Sequence, residues 1–583
     1  MHLRRALAAL DRLRSREDRL ALVLSLLIGA LVGLVVVAFI LLTGRLASYM
    51  YPPGGAGWRR LVVPTLGALG SGALLYRYFP DARGSGIPQT KAALFIYDGR
   101  IAFRTVIGKF VCCCTSLASG IALGREGPSV HIGAGLSSVI ARRLGLSREQ
   151  VRWLIPVGAS AALAAAFNTP IAAVLFSLEE IMGDLHAPVL GSVVLSSATS
   201  WMVLHLVLGD DPLFHVPAYH LVAPTEFAIY TALGVVGGLA SVVFVKLLLG
   251  LRRRFLGLPR RTAWLQPALG GLFVGLLGYF LPEVLGVGYD QVERVLAGDL
   301  LLRTVVLLAV LKIAATAMCY ASGNAGGIFG PSLFIGAMTG GAVGAVAHAA
   351  FPQSTAGAGA YALVGMGTAF AGIIRTPLTS VIMIFEVTRD YTIIVPLMIS
   401  NLIAYFISQK LQPEPIYEAL AKQEGVHLPT GESRVPAGGV SVAGAMRPRP
   451  DVLAPELTVG EALERVRASG LEAWPVADGD GLVGMVAVDE LAAAAREGRS
   501  AGRLLELLQR RVAAEPVEVE APERLHPDHG LGAALARMGA TGRTVLPVVS
   551  RADTRQLLGV VTLADLLDAL GLPQSQEAES PVV

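Results

Sequence analysis

Gly124-Arg125-Glu126-Gly127-Pro128, followed by Ser129-Val130-His131-Ile132-Gly133-Ala134, sets one carboxylate inside a long apolar stretch. Gly124 and Gly127 let the backbone take open or tight conformations. Pro128 suits the first turn of a helix, where its missing N–H costs nothing. The stretch therefore reads as an extended loop that becomes a helix at membrane depth. Its free N–H groups and positive dipole end face whatever lies in front of it. An anion, or the Glu126 side chain itself, is what that geometry prefers. A lone carboxylate at that depth is expensive and marks function by default.

The signature occurs twice. Ser119 to Ala134 lines up without gaps on Ser322 to Ala337 (SGNAGGIFGPSLFIGA), with ten of 16 positions identical. At the same offset Lys109 falls on Lys312. Thr169-Pro170-Ile171-Ala172-Ala173-Val174-Leu175 resembles Thr376-Pro377-Leu378-Thr379-Ser380-Val381-Ile382, and Glu179 then falls on Glu386. The shared residues are Gly, Pro, Ser, Lys and Glu, so apolar composition does not explain the match. Gly/Pro-interrupted segments at corresponding places in two halves point to a transport site at the repeat interface.

Composition agrees with a membrane protein. Of 583 residues 53% are hydrophobic and 16% charged, with mean hydropathy +0.59, which calls for many spans. Residues 1–435 hold 34 Lys and Arg against 23 Asp and Glu; residues 436–583 hold 14 against 21. A basic membrane part fits positive-inside anchoring. The basic residues are scattered without aromatic interleaving, so nucleic acid is not an expected partner. Cys112, Cys113, Cys114 and Cys319 lie in apolar runs and read as small buried thiols. The ten histidines show no HExxH, and no metal site is expected. A membrane-bound nucleotide sensor or enzyme is a third class of reading. The chain carries no GxxxxGK[ST] and no nucleophile elbow for it, and it is not expected to be an enzyme.

Residues 1–20 are amphipathic and Arg-rich and read as a cytoplasmic interfacial helix. Ala21–Leu42 reads as a first transmembrane helix with its N-terminus inside. The membrane domain is expected over 21–421, in two repeats of about 21–215 and 222–421. Several apolar segments, such as 128–140, 171–182 and 377–387, fall short of the roughly 20 residues a span needs. Short, broken helices are tolerated only where buried in protein or lining a cavity. Arg252-Arg253-Arg254 and Arg260-Arg261 read as a cytoplasmic topology anchor. Residues 422–440 read as a linker, 441–572 as a soluble α/β pair and 573–583 as a tail. The pair is itself a duplication: Gly460, Ala462, Leu463, Arg465, Pro475 and Val476 fall on Gly532, Ala534, Leu535, Arg537, Pro547 and Val548. Each copy reads helix, strand, turn, strand, helix.

Gly84-Ser85-Gly86-Ile87-Pro88, Gly124 to Pro128, Gly327-Ile328-Phe329-Gly330-Pro331 and Tyr417 occur in the order seen in the CLC chloride channels and proton-coupled chloride transporters. The resemblance covers about residues 20–421, and the tail resembles a tandem CBS-domain pair. It implies an all-α polytopic membrane protein built from two inverted repeats, followed by an α/β tandem CBS domain. It also implies a multi-pass protein of the cell membrane, homodimeric in the lipid bilayer, with N-terminus and CBS pair cytoplasmic.

A chloride ion at mid-membrane needs partial charges in place of its water, because a full opposing charge would trap it. The resemblance implies that Ser85 and Tyr417 contact an inner chloride and that Ile328 and Phe329 bind a central one through main-chain N–H groups. Ser85 read alone is also a helix N-cap, and Tyr417 an interfacial anchor. Glu126 corresponds to the family's gating glutamate: an anion that takes turns with chloride and swings away when protonated. Glu179 has the repeat partner Glu386 and reads as a helix-end residue. Glu180 falls on Val387, so shared scaffold does not explain it. Family exchangers usually carry glutamate there and channels valine, which makes Glu180 an internal proton relay; an exposed helix-end charge is the plain alternative. The expectation is therefore a secondary active chloride/proton antiporter, with a chloride channel lacking obligate proton coupling as the alternative. Lys109 and Lys312 either snorkel or lend a diffuse positive field, and Arg125 either does likewise at the outer mouth or braces its loop. Gln89 and Gly330 depart from the common family pattern without touching the expected chemistry. In the CBS pair, Thr562 and Asp565 match the hydroxyl and aspartate that meet the ribose of an adenine nucleotide. Ala487 replaces that hydroxyl in the first copy. A dimerisation module without ligand is the other reading, and no further cofactor is expected.

Overall fold

A computed structural model of the chain describes residues 2–185, 189–210, 212–217, 222–388, 391–428, 441–448, 450–467, 471–479, 481–514 and 524–570. Most of the expected linker and the whole of the 573–583 tail lie outside these residues, as do the side chains of 1–19. The chain divides into two compact units, Met1–Gln423 and Glu424–Val583.

The first unit is helical. Its first eight helices are α1 (His2–Met50), α2 (Arg59–Arg77), α3 (Ile87–Phe95), α4 (Phe103–Ala118), α5 (Glu126–Arg143), α6 (Arg148–Phe167), α7 (Pro170–Phe176) and α8 (Leu190–Leu208). The next eight repeat them: α9 (Glu226–Leu256), α10 (Gln266–Phe280), α11 (Tyr289–Leu296), α12 (Leu302–Ala321), α13 (Phe329–Ala350), α14 (Ala358–Ile374), α15 (Pro377–Thr388) and α16 (Ile394–Leu411). A short α17 (Ile416–Gln423) ends the unit. Seven helical stretches among the described residues are long and apolar enough to cross a membrane. α10, α14 and α15 are apolar but shorter.

Packing follows the repeat. α5 lies on α6 as α13 lies on α14, and α1 on α8 as α9 on α16. Across the repeats α2 meets α10 and α7 meets α15. Local sequence sets the helix ends. Ser147 and Gln150 form a capping box at the start of α6, and Asn168 and Arg375 close α6 and α14 in the left-handed conformation. Pro170 and Pro377 then open α7 and α15. Small residues set the helix spacing: a Cβ on Gly133 would lie 2.2 Å from the Gly158 carbonyl oxygen, and one on Gly336 2.2 Å from that of Gly365. Close backbone approach of this kind is how helices pack in lipid, where no hydrophobic force drives them together.

At the N-terminus the expected interfacial and transmembrane segments share one helix. The backbone runs as one helix from His2 to Met50, with no break near residue 20. Residues 2–20 are mostly Arg, Leu and Ala and hold no Gly or Pro, so nothing stops the helix before the apolar run.

The second unit holds α18 (Val442–Ala445), β1 (Arg447–Pro448), α19 (Val459–Val466), β2 (Ala473–Asp478), β3 (Gly481–Ala487), α20 (Val488–Arg496), α21 (Leu504–Ala514), α22 (Leu531–Thr541), β4 (Val545–Val549), β5 (Leu557–Thr562) and α23 (Leu563–Ala569). β2 pairs antiparallel with β3, and β4 with β5, with β1 on the far edge of β5. Leu453 bridges to Val476 and Leu525 to Val548, both parallel, so the duplication holds to single backbone contacts.

Candidate functional site

The two glycine-rich loops meet. Gly124 N–H donates to the Gly327 carbonyl and Gly327 N–H to the Gly124 carbonyl, each at 2.7 Å. α5 and α13 start two residues beyond these glycines, so both helix N-termini face one point. Their first N–H groups have no carbonyl one turn back to bond.

Glu126, the first residue of α5, is fully buried there. One carboxylate oxygen accepts from Gly330 N–H at 3.2 Å, in the first turn of α13. The other accepts a short hydrogen bond from the Tyr289 hydroxyl. Arg125 Nε stands 4.0 Å from the same oxygen, and its guanidinium lies 5.6 Å from the centre of the Tyr289 ring. Arg125 thus braces both the loop and the phenol. Ile328 and Phe329 open α13 beside the carboxylate, and both are fully buried. The Phe329 ring packs among Phe167, Phe176 and Phe370, leaving its main chain at the meeting point.

Ser85 precedes α3. Its carbonyl oxygen lies 2.7 Å from where a Cβ on Gly127 would stand, so the start of α3 packs on the start of α5. The N-cap of α3 is Gly86, at φ 103°, and Gln89 supplies the side-chain acceptor at 3.0 Å. Ser85 is therefore not the cap. Its hydroxyl is buried and has no hydrogen-bond partner among the described residues, and the same holds for the Tyr417 hydroxyl. Tyr417 is 1% exposed, which removes the interfacial-anchor reading. It lies within electrostatic range of Glu180, Tyr320 and Glu126. Tyr320 accepts from Ser85 N–H at 3.3 Å.

Glu180 sits on a π-helical turn, Ser177–Met182, that continues α7. It is buried, which removes the exposed-charge reading, and it pairs with Lys91 at 2.7 Å. Glu179, on the same turn, faces elsewhere. It accepts from the N–H groups of Leu378 and Thr379 at the start of α15. Glu386 reciprocates with Ile171 and Ala172 at the start of α7. The helix-end reading of Glu179 is what the geometry gives.

Three expectations change, and one residue was missed. Lys109 and Lys312 do not snorkel: both are fully buried, and their ammonium groups bind the carbonyls of Arg83 and Gly84, and of Val284 and Gly286. Gly330 touches Glu126 directly. Arg252 is not part of an exposed anchor, because it is 7% exposed with its guanidinium 5.6 Å from the Tyr320 ring centre. Tyr289 was not singled out by sequence at all. The signal was Gly286-Val287-Gly288-Tyr289, which repeats Gly84-Ser85-Gly86-Ile87 at offset 202, one residue off the 203 of the main alignment. Gly84, Gly86, Gly286 and Gly288 all have positive φ.

In the second unit Thr562 and Asp565 form a capping box at the start of α23. Asp565 also takes both Nε and a terminal nitrogen of Arg447, at 3.0 to 3.1 Å. Burial works against its charge, but Arg447 and the Thr562 N–H and hydroxyl outweigh that and hold the carboxyl below its usual range. Asp565 is thus already engaged by Arg447 and by the Thr562 N–H. No group of metal-ligating side chains occurs among the described residues.

Comparison with known proteins gives the family. The family model described as "Voltage gated chloride channel" matches residues 66–409, and that for the CBS domain matches 441–497 and 504–572. A protein of Ralstonia nicotianae named as a ClcB-like chloride channel protein is 35% identical over 386 residues, 64% of this chain and 89% of that one. The H(+)/Cl(-) exchange transporter ClcA of Vibrio campbellii is 32% identical over 354 residues, 60% of this chain and 75% of its own. A crystal structure of a slow cyanobacterial Cl-/H+ antiporter superposes with a TM-score of 0.64 at 26% identity, covering 69% of this chain and 97% of its own. A eukaryotic CLC transporter shares the fold at 20% identity and a TM-score of 0.62, covering 94% of this chain and 97% of its own. The chain is thus a multi-pass membrane protein of the voltage-gated chloride channel (CLC) family, whose members are channels and transporters rather than enzymes, and it carries a CBS-domain pair.

Proposed function

We propose that the chain is a secondary active antiporter that moves chloride across the membrane in exchange for protons, with Glu126 as gate and Glu180 as internal proton relay. The observation that carries this is Glu126 itself. A buried carboxylate that begins one helix and takes the N–H of Gly330 at the start of another occupies what is in effect an anion site. Chloride and carboxylate compete for the same donors. A proton on Glu126 ends its need for them and frees the site, so the two ions take turns.

The hydroxyls of Ser85 and Tyr417 and the main-chain N–H groups of Ile328 and Phe329 supply the partial charges that hold chloride without trapping it. Glu180 gives the proton a buried carboxylate, and Tyr417 lies within electrostatic range of both Glu180 and Glu126. The exchangers among the relatives support this ion pair. The Arg-rich residues 1–20 before the first apolar run support a cytoplasmic N-terminus, and the family resemblance supports a cytoplasmic CBS pair. By analogy with the family the protein works as a homodimer in the bilayer. An adenine nucleotide at the CBS pair would have to displace Arg447 from Asp565.

Purified protein in liposomes tests the reading. A chloride gradient drives protons uphill, and Glu180→Val keeps chloride flux while losing proton flux. Current that reverses at the chloride equilibrium potential whatever the pH would make the protein a channel instead.

A further inference from the structure

The buried charge beside Glu180 is shared. Lys91 Nζ contacts Glu180 Oε1 at 2.7 Å and Glu418 Oε1 at 2.5 Å. The three side chains are 2%, 9% and 13% exposed. They come from three elements far apart in sequence: α3, the π turn after α7, and α17. Lys91 lies on the helix that Ser85 precedes, and Glu418 directly follows Tyr417. The ammonium therefore ties the element carrying one inner hydroxyl to the element carrying the other.

We propose that Glu418 is the residue through which protons reach Glu180, and that Lys91 is the positioning residue that holds the two carboxylates in line. This rests on the antiport reading and extends it. Both carboxylates touch the same nitrogen, so the two contacting oxygens are at most about 5 Å apart. That distance is crossed by one carboxyl rotation or one bridging water. Glu418 is the more exposed of the two and meets the proton first. Once protonated it loses its charge and its claim on Lys91. The proton then passes from the Glu418 carboxyl to the Glu180 carboxylate, and the ammonium returns to Glu418. Charge is conserved at each step and no other reactant is needed.

The remaining charges around the cluster fit this. Arg375, at the end of α14, lies within electrostatic range of both Glu418 and Glu180. It is itself held by the carbonyls of Ser408, Gln412 and Pro413. Its charge and that of Lys91 balance the two carboxylates when both are ionised, which makes an ionised resting pair tolerable in a buried place. Tyr417 faces the cluster from α17, and Glu179 is engaged on α15. While Lys91 bonds Glu418, α17 and Tyr417 are pinned to α3. When Glu418 is protonated that link opens, so a proton arriving loosens the pair of elements that bear Ser85 and Tyr417.

Glu418→Gln in the full-length protein in liposomes tests this, with proton and chloride fluxes read together. Proton flux falls tenfold or more, chloride flux persists, and the reversal potential moves toward that of chloride. Glu418→Asp, which keeps the charge but shortens the reach, slows proton flux without abolishing it, and covers the case in which the glutamine variant does not fold. Lys91→Met moves the reversal potential in the same direction, and Lys91→Arg restores it in part. Wild-type coupling that survives unchanged in Glu418→Gln overturns the inference and leaves the antiport reading standing. Absence of coupled proton movement in the wild type overturns the antiport reading itself.

Discussion

Gly124 and Gly327 exchange both of their backbone hydrogen bonds, at 2.7 Å each way. The two repeats are joined at the residues that launch their site helices, so the carboxylate on one helix is registered against the N–H groups of the other. A Cβ on Gly124 would stand 2.4 Å from a Glu126 carboxylate oxygen and 3.0 Å from Gly330 N. Gly124→Ala is therefore expected to push the carboxylate off its donors and to crowd the start of α13 at Gly330 and Pro331. Chloride efflux from liposomes then loses most of its dependence on pH between neutral and acid, as in Glu126→Gln. Wild-type pH dependence in Gly124→Ala would mean that the contact with Gly330 does not hold the proposed gate.

Tyr289→Phe removes the hydroxyl that donates to Glu126. A hydrogen bond to a charged acceptor contributes about 1.5–3 kcal/mol. Its loss weakens the carboxylate in its competition with chloride. Apparent chloride affinity, measured by calorimetry, is expected to rise roughly tenfold, since about 1.4 kcal/mol is a factor of ten. An unchanged affinity would reduce Tyr289 to packing.

Glu179 and Glu386 test whether neighbouring acids have been told apart correctly. Each caps a helix start in the opposite repeat through two N–H groups. A carboxylate at a helix N-terminus is stabilising through both hydrogen bonds and the dipole. Glu179→Gln and Glu386→Gln are each expected to cost about 1–3 kcal/mol, seen as a lower melting temperature in detergent, with the chloride-to-proton ratio unchanged. Lost coupling at an unchanged melting temperature in Glu179→Gln would transfer the proposed relay role from Glu180 to its neighbour.

What sequence could show here depended on which atoms do the work. Glu126 was legible because a carboxylate in an apolar run has few structural excuses. Glu179 and Glu180 were separable because only Glu179 has a counterpart, at Glu386, and the structure gives it the matching structural task. Gly330 was misread because its contribution is an N–H, and side-chain comparison is blind to main-chain donors. Tyr289 was missed because the loop before it is displaced by one residue in the repeat alignment. Lys91 and Glu418 stand 327 residues apart, and each alone looks like a charge on a solvated helix face. Lys109 and Lys312 were paired by sequence, but the carbonyls they bind belong to loops whose positive-φ glycines turn those oxygens inward.

The second unit should lose stability in mild acid. His526 donates from Nδ1 to the Val549 carbonyl at 2.9 Å, and His529 Nδ1 faces an Arg537 nitrogen at 2.8 Å. Arg551, paired with Asp528 at 2.7 Å, lies beside them. Burial, and then the positive charge of Arg551, push His526 down to about 4. Burial, Arg551 and Arg537 push His529 down as well. In the unfolded chain both titrate near the ordinary value of about 6.5. As pH falls below that, the unfolded chain binds protons that the folded unit refuses, so stability falls with pH down to about 4 and is insensitive to these groups above about 7. For His526 alone the span corresponds to on the order of 3 kcal/mol. Hydrogen exchange of peptides covering 524–549 in the full-length protein, corrected for intrinsic rates, is expected to show protection lost between pH ~7.5 and ~5. His526→Gln, which keeps an N–H donor but takes no proton, retains more of that protection. Equal loss in the two proteins would assign the acid sensitivity to other groups.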